Sequence, residues 1–210
     1  PGLNIKRHPL CGPNFEYLSE DPLVSGRLAA AMVHGIQGTG VGACVKHFAV
    51  NNQESHRFVV DAVVDERTLR ELYLSGFEHV ITAAQPWTVM AAYNMVNGTY
   101  CTDHHELLTR ILRDEWGFTG LVMSDWGATN DRVAGIRAGM DLEMPGSRGI
   151  SDHDVAAAVA DARLTAAEVT ACADRVLALV ERARDQRPTK VSFEDHDALA
   201  RHGAEVLEDG

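Results

Sequence analysis

The chain has 210 residues, 45% apolar and 23% charged, a globular composition that is neither disordered nor fibrous. Its 30 acidic and 19 basic side chains give a formal charge of −11, which argues against nucleic acid or an anionic membrane as partner, because both demand a basic field. No apolar run approaches the roughly 18 residues that span a bilayer. The cysteines, Cys11, Cys44, Cys101 and Cys172, are too scattered for a disulfide framework or a zinc site. No metal-ligand cluster or phosphate-binding glycine loop stands out, so no cofactor is expected. The chain begins Pro-Gly-Leu-Asn; cytoplasmic and secreted locations both fit, and oligomeric state is not readable.

Leu3 to Ile5 reads as the end of a strand. After a polar loop, Gly26 to Gln37 carries Leu28, Ala29, Met32, Val33 and Ile36 at helical spacing, and Gly38, Gly40 and Gly42 end it. Val41 to Phe48 reads as a buried strand. Asp65 is placed to cap a helix running to about Ala84, with Glu66 and Arg70 paired on its solvated face. Trp87 to Tyr93 is the next strand, and Asn97-Gly98 a turn. Asp103 and Glu106 have the spacing of a capping box. Leu121 to Met123 is a short strand ending at Ser124-Asp125-Trp126. A helix over about Asn130 to Ala138, a strand over Met140 to Met144, and helices over Asp152–Arg163 and Thr165–Arg184 follow, the last opened by a Thr165/Glu168 capping box.

Short apolar strands alternating with helices predict an α/β fold with a parallel sheet. Polar residues gather just past the strand ends: Arg7, Lys46-His47, Tyr93-Asn94, Asp125-Trp126 and Glu143. In a β/α barrel that edge is the active-site face. Five strands do not close a barrel of eight. The pattern therefore fits either an open doubly wound sheet or an incomplete (β/α) TIM-type barrel.

The motif series resembles the glycoside hydrolase family 3 β-glucosidases. It comprises Asn4-Ile5-Lys6-Arg7-His8-Pro9, Tyr17 to Pro22, Lys46-His47-Phe48-Ala49-Val50-Asn51-Asn52-Gln53-Glu54 and Asp65 to Glu71. Val89 to Asn94, Glu115 to Phe118, Ser124-Asp125-Trp126-Gly127-Ala128 and Gly139 to Gly146 complete it. The resemblance implies an incomplete barrel over 1–184, its first strands missing. A polar linker over 185–210 would lead into a missing second domain, with His202 to Gly210 like the entry to it. It also implies retaining hydrolysis of terminal β-D-glucosyl residues, with β-linked glucosides or short oligosaccharides as the bound molecules.

By the same resemblance Asp125 is the nucleophile. Arg7, Lys46, His47, Arg57, Met90, Tyr93 and Trp126 match sugar-site residues, Lys46 and His47 as hydroxyl donors and Tyr93 donating towards Asp125. The acid/base would lie on the missing second domain. A retaining glycosidase needs two carboxyl groups about 5 to 5.5 Å apart. Asp125 suits one role because an apolar strand holds it, with cations at Lys46 and Arg57 to face it. From the bare sequence Glu54 or Glu143 could be the acid; the resemblance makes Glu54 structural, paired with Arg57, and Glu20-Asp21 loop-fixing carboxylates. Close family members read Leu-Cys-Gly-Arg-Asn-Phe-Glu where this chain has Leu10-Cys11-Gly12-Pro13-Asn14-Phe15-Glu16, so Pro13 removes a charge and a backbone donor. The segment after Phe48 differs from the β-N-acetylhexosaminidase branch, which continues Pro-Gly. Alternatives are a β-xylosidase, a Schiff-base aldolase using Lys46, and a noncatalytic or inactive sugar-binding fragment.

Overall fold

The computed structural model describes residues 1–186. After a 3-10 turn (Gly12–Phe15) come α1 (Pro22–Gly38), β1 (Cys44–Phe48), β2 (Asp61–Ala62) and α2 (Glu66–Thr68). α2 continues through a π-helical segment (Leu69–Leu74) into α3 (Ser75–Ala84), followed by β3 (Thr88–Ala91), β4 (Met95–Val96) and β5 (Thr99–Tyr100). A 3-10 turn (Cys101–Asp103) and a second π-helical segment (Glu106–Glu115) lead to β6 (Leu121–Ser124), α4 (Arg132–Ala138), α5 (Ile150–Ala160) and α6 (Ala166–Asp185).

β1, β3 and β6 form a parallel sheet in that order. Gly2 bridges Lys46 on the outer side of β1, and Leu142 bridges Met123 on the outer side of β6, both parallel. Neighbours in space are thus neighbours in sequence. A doubly wound sheet reverses its order at a switch point; this one does not reverse, and among the described residues it does not close.

One face of the sheet, Val45, Val89, Ala91 and Val122, is fully buried beneath the helices. Phe48 meets Phe77 of α3 and Trp116 edge-to-face, at 5.2 and 6.0 Å between ring centroids. α1 and α3 cross at Gly26 and Gly76, where a Cβ on Gly26 would stand 3.1 Å from the Gly76 carbonyl oxygen. The hairpin β4–β5 turns through Asn97 and Gly98, both at positive φ.

The caps explain where prediction and structure agree. Asp65 caps α2 by accepting from Thr68 N at 3.0 Å. Thr165 and Glu168 exchange both bonds of a capping box. Replacing Thr165 by alanine should therefore cost about 1 kcal/mol, read as a lower urea midpoint with faster hydrogen exchange confined to the first turn of α6.

Elsewhere the structure corrects the sequence. α1 starts at Pro22, not Gly26, because Asp21 is its N-cap and accepts from Leu23 N and Val24 N at 2.7 and 3.1 Å. Asp21 is thus a helix cap rather than a loop-fixing carboxylate. Asp103 does not cap: its carboxylate takes Thr102 Oγ1 and Asn130 Nδ2, while His104 Nδ1 accepts the Leu107 amide. Residues 140–144 make a single bridge rather than a strand. The predicted linker and domain entry over 185–210 lie almost wholly outside the described residues.

Candidate active site

The C-terminal ends of β1, β3 and β6 open on one cavity of about 380 Å³. Lys46, His47, Arg57, Tyr93 and Asp125 line it, together with Pro13, Glu16, Asn51 and Glu54. Asp125 follows β6 directly, and its amide donates to the Ala91 carbonyl at 3.1 Å, so the sheet hydrogen bonding runs right up to it. Its Oδ1 accepts from Trp126 N at 2.7 Å, and its Oδ2 lies 3.5 Å from His47 Nε2.

Ser124, fully buried, fixes the turn from the other side. Its hydroxyl accepts from Met144 N at 2.8 Å and donates to Met144 O at 3.2 Å. The Met144 carbonyl also takes Gly127 N at 2.8 Å. The segment carrying Asp125 is thus pinned before and after it.

Lys46 is ion-paired to Glu16 at 2.8 Å. A Lys46 nitrogen held by Glu16 in this way is not free to reach a carbonyl carbon, as a Schiff base requires, which counts against the aldolase alternative. Arg57 pairs with Glu54 at 3.4 Å and stacks 4.7 Å over the Tyr93 ring. Tyr93 donates its hydroxyl to the Trp126 carbonyl at 2.9 Å, and the Asp125 carboxylate stands beside the same hydroxyl as a side-chain hydrogen-bond neighbour. Burial, and then the Asp125 charge, push the Tyr93 phenol up. Burial pulls the His47 imidazole down, against the opposing charge of Asp125.

Three predicted residues stand outside the lining. Arg7 is held away by Tyr73, to whose hydroxyl it donates at 2.8 Å, and it lines a separate cavity. Met90 lies half-buried on the face of β3 opposite Val89 and Ala91, paired with Met123. Trp126 turns its indole to solvent at 61% exposure, though its backbone joins the site. Glu143 is not in the lining either and accepts from Ser151 Oγ at 3.1 Å.

Glu16, Tyr17 and Asn51 belong to the site without having been singled out. Glu16 and Tyr17 sit in the stretch Asn14-Phe15-Glu16-Tyr17, where a carboxylate and a phenol beside a glycine-containing loop were the available signal.

Two cations face three carboxylates in this cavity. That balance suits an uncharged polyhydroxylated ligand better than a phosphorylated one, which needs a cationic excess. Among the described residues no three histidine, cysteine or acidic side chains group as metal ligands, and no helix is long and apolar enough to cross a membrane.

The description "Glycosyl hydrolase family 3 N terminal domain" matches residues 1–179. The chain is 50% identical over 206 residues to the thermostable beta-glucosidase B of Acetivibrio thermocellus, covering 97% of this chain and 27% of that protein. It is 48% identical over 207 residues to an exo-alpha-(1->6)-L-arabinopyranosidase of Bifidobacterium breve, again covering 97% of this chain and 27% of that protein. The crystal structure of a beta-glucosidase from Bifidobacterium adolescentis superposes with a TM-score of 0.90 at 45% identity, over 97% of this chain and 30% of that one. The chain thus spans about a quarter of the length of these curated relatives.

Proposed function

The chain belongs to glycosyl hydrolase family 3, and from that premise we propose that it carries the nucleophile of a retaining β-glucosidase, Asp125. The observation that carries this reading is the placement of the Asp125 carboxylate. It stands just past a strand end whose backbone is held by the Asp125 amide bond to the Ala91 carbonyl, with its own Oδ1 accepting from Trp126 N, in a cavity that also holds Lys46, His47, Arg57 and Tyr93. A carboxylate held so rigidly is suited to attack an anomeric carbon and form a glycosyl ester. The unreversed strand order fits an arc of a (β/α) barrel with its site at the C-terminal edge.

Retention needs a second carboxyl group as acid and then base. Within the cavity Glu16 and Glu54 are each engaged by a cation rather than free to meet a leaving oxygen. The acid/base is therefore assigned to the part of the full-length protein outside this chain. Trp126, whose indole is exposed next to Asp125, is assigned to the rim, where a sugar or its aglycone extends beyond the cavity; Arg7, in a separate cavity, and Met90, on β3, are given no direct sugar contact.

The test is covalent trapping in the full-length protein with an activated 2-deoxy-2-fluoro-β-glucoside, whose glycosyl ester hydrolyses slowly. The peptide containing Asp125 should gain the mass of one fluorosugar. Label on another residue, or none despite turnover of the parent aryl glucoside, sinks the assignment.

A second reading concerns the sugar. The arabinopyranosidase relative acts, by its name, on a pentopyranoside, which brings the β-xylosidase alternative back into view. One hydroxymethyl group is worth little in binding. Ranking kcat/KM on aryl β-D-glucoside, β-D-xyloside and α-L-arabinopyranoside decides between them; glucoside should lead.

A further inference from the structure

His47 has both ring nitrogens addressed, and the two sides are unlike. Nδ1 lies 3.2 Å from the Tyr17 hydroxyl. Tyr17 is buried, and its hydroxyl also lies 2.9 Å from the Asn51 carbonyl oxygen, to which it donates. A carbonyl oxygen only accepts, and a phenol has one proton. With that proton given to Asn51, the tyrosine oxygen turns a lone pair to Nδ1, which must then carry hydrogen. Burial, with Glu16 beside it, pushes the phenol far above its ordinary range, so the hydroxyl stays intact.

Nε2 faces the cavity. It is 3.5 Å from Asp125 Oδ2 and 3.9 Å from Glu16 Oε1, both longer than a hydrogen bond. The charged groups around the ring are Asp125 after β6, Lys46 on β1, Glu16 in the first loop and Arg57 in the loop after β1. Burial, Lys46 and Arg57 favour the neutral imidazole over the opposing pull of Asp125 and Glu16. A neutral ring with hydrogen on Nδ1 presents a bare lone pair at Nε2, beside the Lys46 ammonium.

We infer that Tyr17 is a positioning residue that fixes His47 as the Nδ1–H tautomer, so that Nε2 accepts a proton from a substrate hydroxyl. The reading of His47 as a donor is thereby reversed. A hydroxyl meeting this pair donates to Nε2, and its oxygen is left free to accept from Lys46. The site then demands a free hydroxyl at that ring position, because fluorine or an ether oxygen there has no hydrogen to give. This extends the sugar-binding assignment proposed above and rests on it for the ligand, though not for the tautomer.

The test uses the full-length protein labelled with ¹⁵N-histidine, the His47 signals being identified by their loss in His47→Gln. Without substrate, Nδ1 should be protonated and Nε2 bare. In Tyr17→Phe the tautomers should mix, and KM for an aryl β-glucoside should rise roughly 3- to 10-fold, the size of one hydrogen bond, with kcat little changed. In a monodeoxy series, one glucoside should no longer distinguish the variant from the wild type. Hydrogen on Nε2 in the wild type, alone or with Nδ1, overturns the inference. So does a Tyr17→Phe variant that loses thermal stability while its tautomer and KM stay as before. The spectrum is read without turnover, so a failure of the glucosidase assignment leaves this arm intact.

Discussion

Replacing Asp125 by alanine in the full-length protein is expected to lower kcat for an aryl β-glucoside by on the order of 10⁴-fold or more, the loss that follows removal of an activated nucleophile. The side chain is the carboxylate nearest His47 Nε2 and follows directly on β6, whose hydrogen bonding to β3 runs up to its own amide. Its shortest bond is to its own neighbour, Trp126 N at 2.7 Å. Removing it costs no close bond to a distant backbone group, only the looser approaches to His47 and Tyr93, and the melting temperature should fall little while activity collapses. The space left behind admits a small anion. Added azide should restore turnover of an activated substrate and give the α-glucosyl azide, formed by a single displacement. Activity within tenfold of wild type, or rescue without azide in the product, would sink the nucleophile assignment.

The largest effect on stability is expected at Asp141. Its carboxylate is wholly buried and accepts from Arg113 at 2.8 Å, Arg175 at 2.7 Å and the Val122 amide at 2.8 Å. Arg113 belongs to the π-helical segment before β6 and Arg175 to α6, so one anion joins two helices and a strand. Burial pulls the Arg113 guanidinium down, and Asp141 is what opposes it. Asp141→Ala leaves two cations without their counter-ion, and breaking such a pair from one side costs about 3–5 kcal/mol. Asp141→Asn keeps the shape and part of the hydrogen bonding and should fall between alanine and wild type. Urea unfolding followed by circular dichroism reads both. A shift below about 1 kcal/mol for the alanine variant would mean that water replaces the carboxylate.

Much of this was legible, and the exceptions have physical reasons. Asp65 and Thr165 are read correctly because a cap is a contact over three residues, all visible in the chain. The same logic fails at Asp103, where neighbouring Asn130 competes for the carboxylate and His104 takes the amide instead. Lys46, His47, Arg57, Tyr93 and Asp125 were named by the family resemblance, and the fold brings them to one cavity. Arg7 was named with them but lies apart, because Tyr73, 66 residues away, holds its guanidinium. Glu16 and Tyr17 were quoted within motifs but given no site role, for the converse reason: what makes them part of the site is proximity to Lys46 and His47, about thirty residues on. The Asp141 cluster also joins residues that no periodicity connects.

The two bonds between Ser124 and Met144 are unequal in what they ask of the chain. At 124 the hydroxyl is indispensable, and only threonine among the other residues would bring one on the same atom. At 144 both contacts are main-chain atoms, so nearly any side chain would serve. Random substitution would therefore strike this pair lopsidedly. Change at 144 would be absorbed, except for proline, which has no amide hydrogen to offer, while change at 124 would loosen the neighbouring carboxylate without touching it.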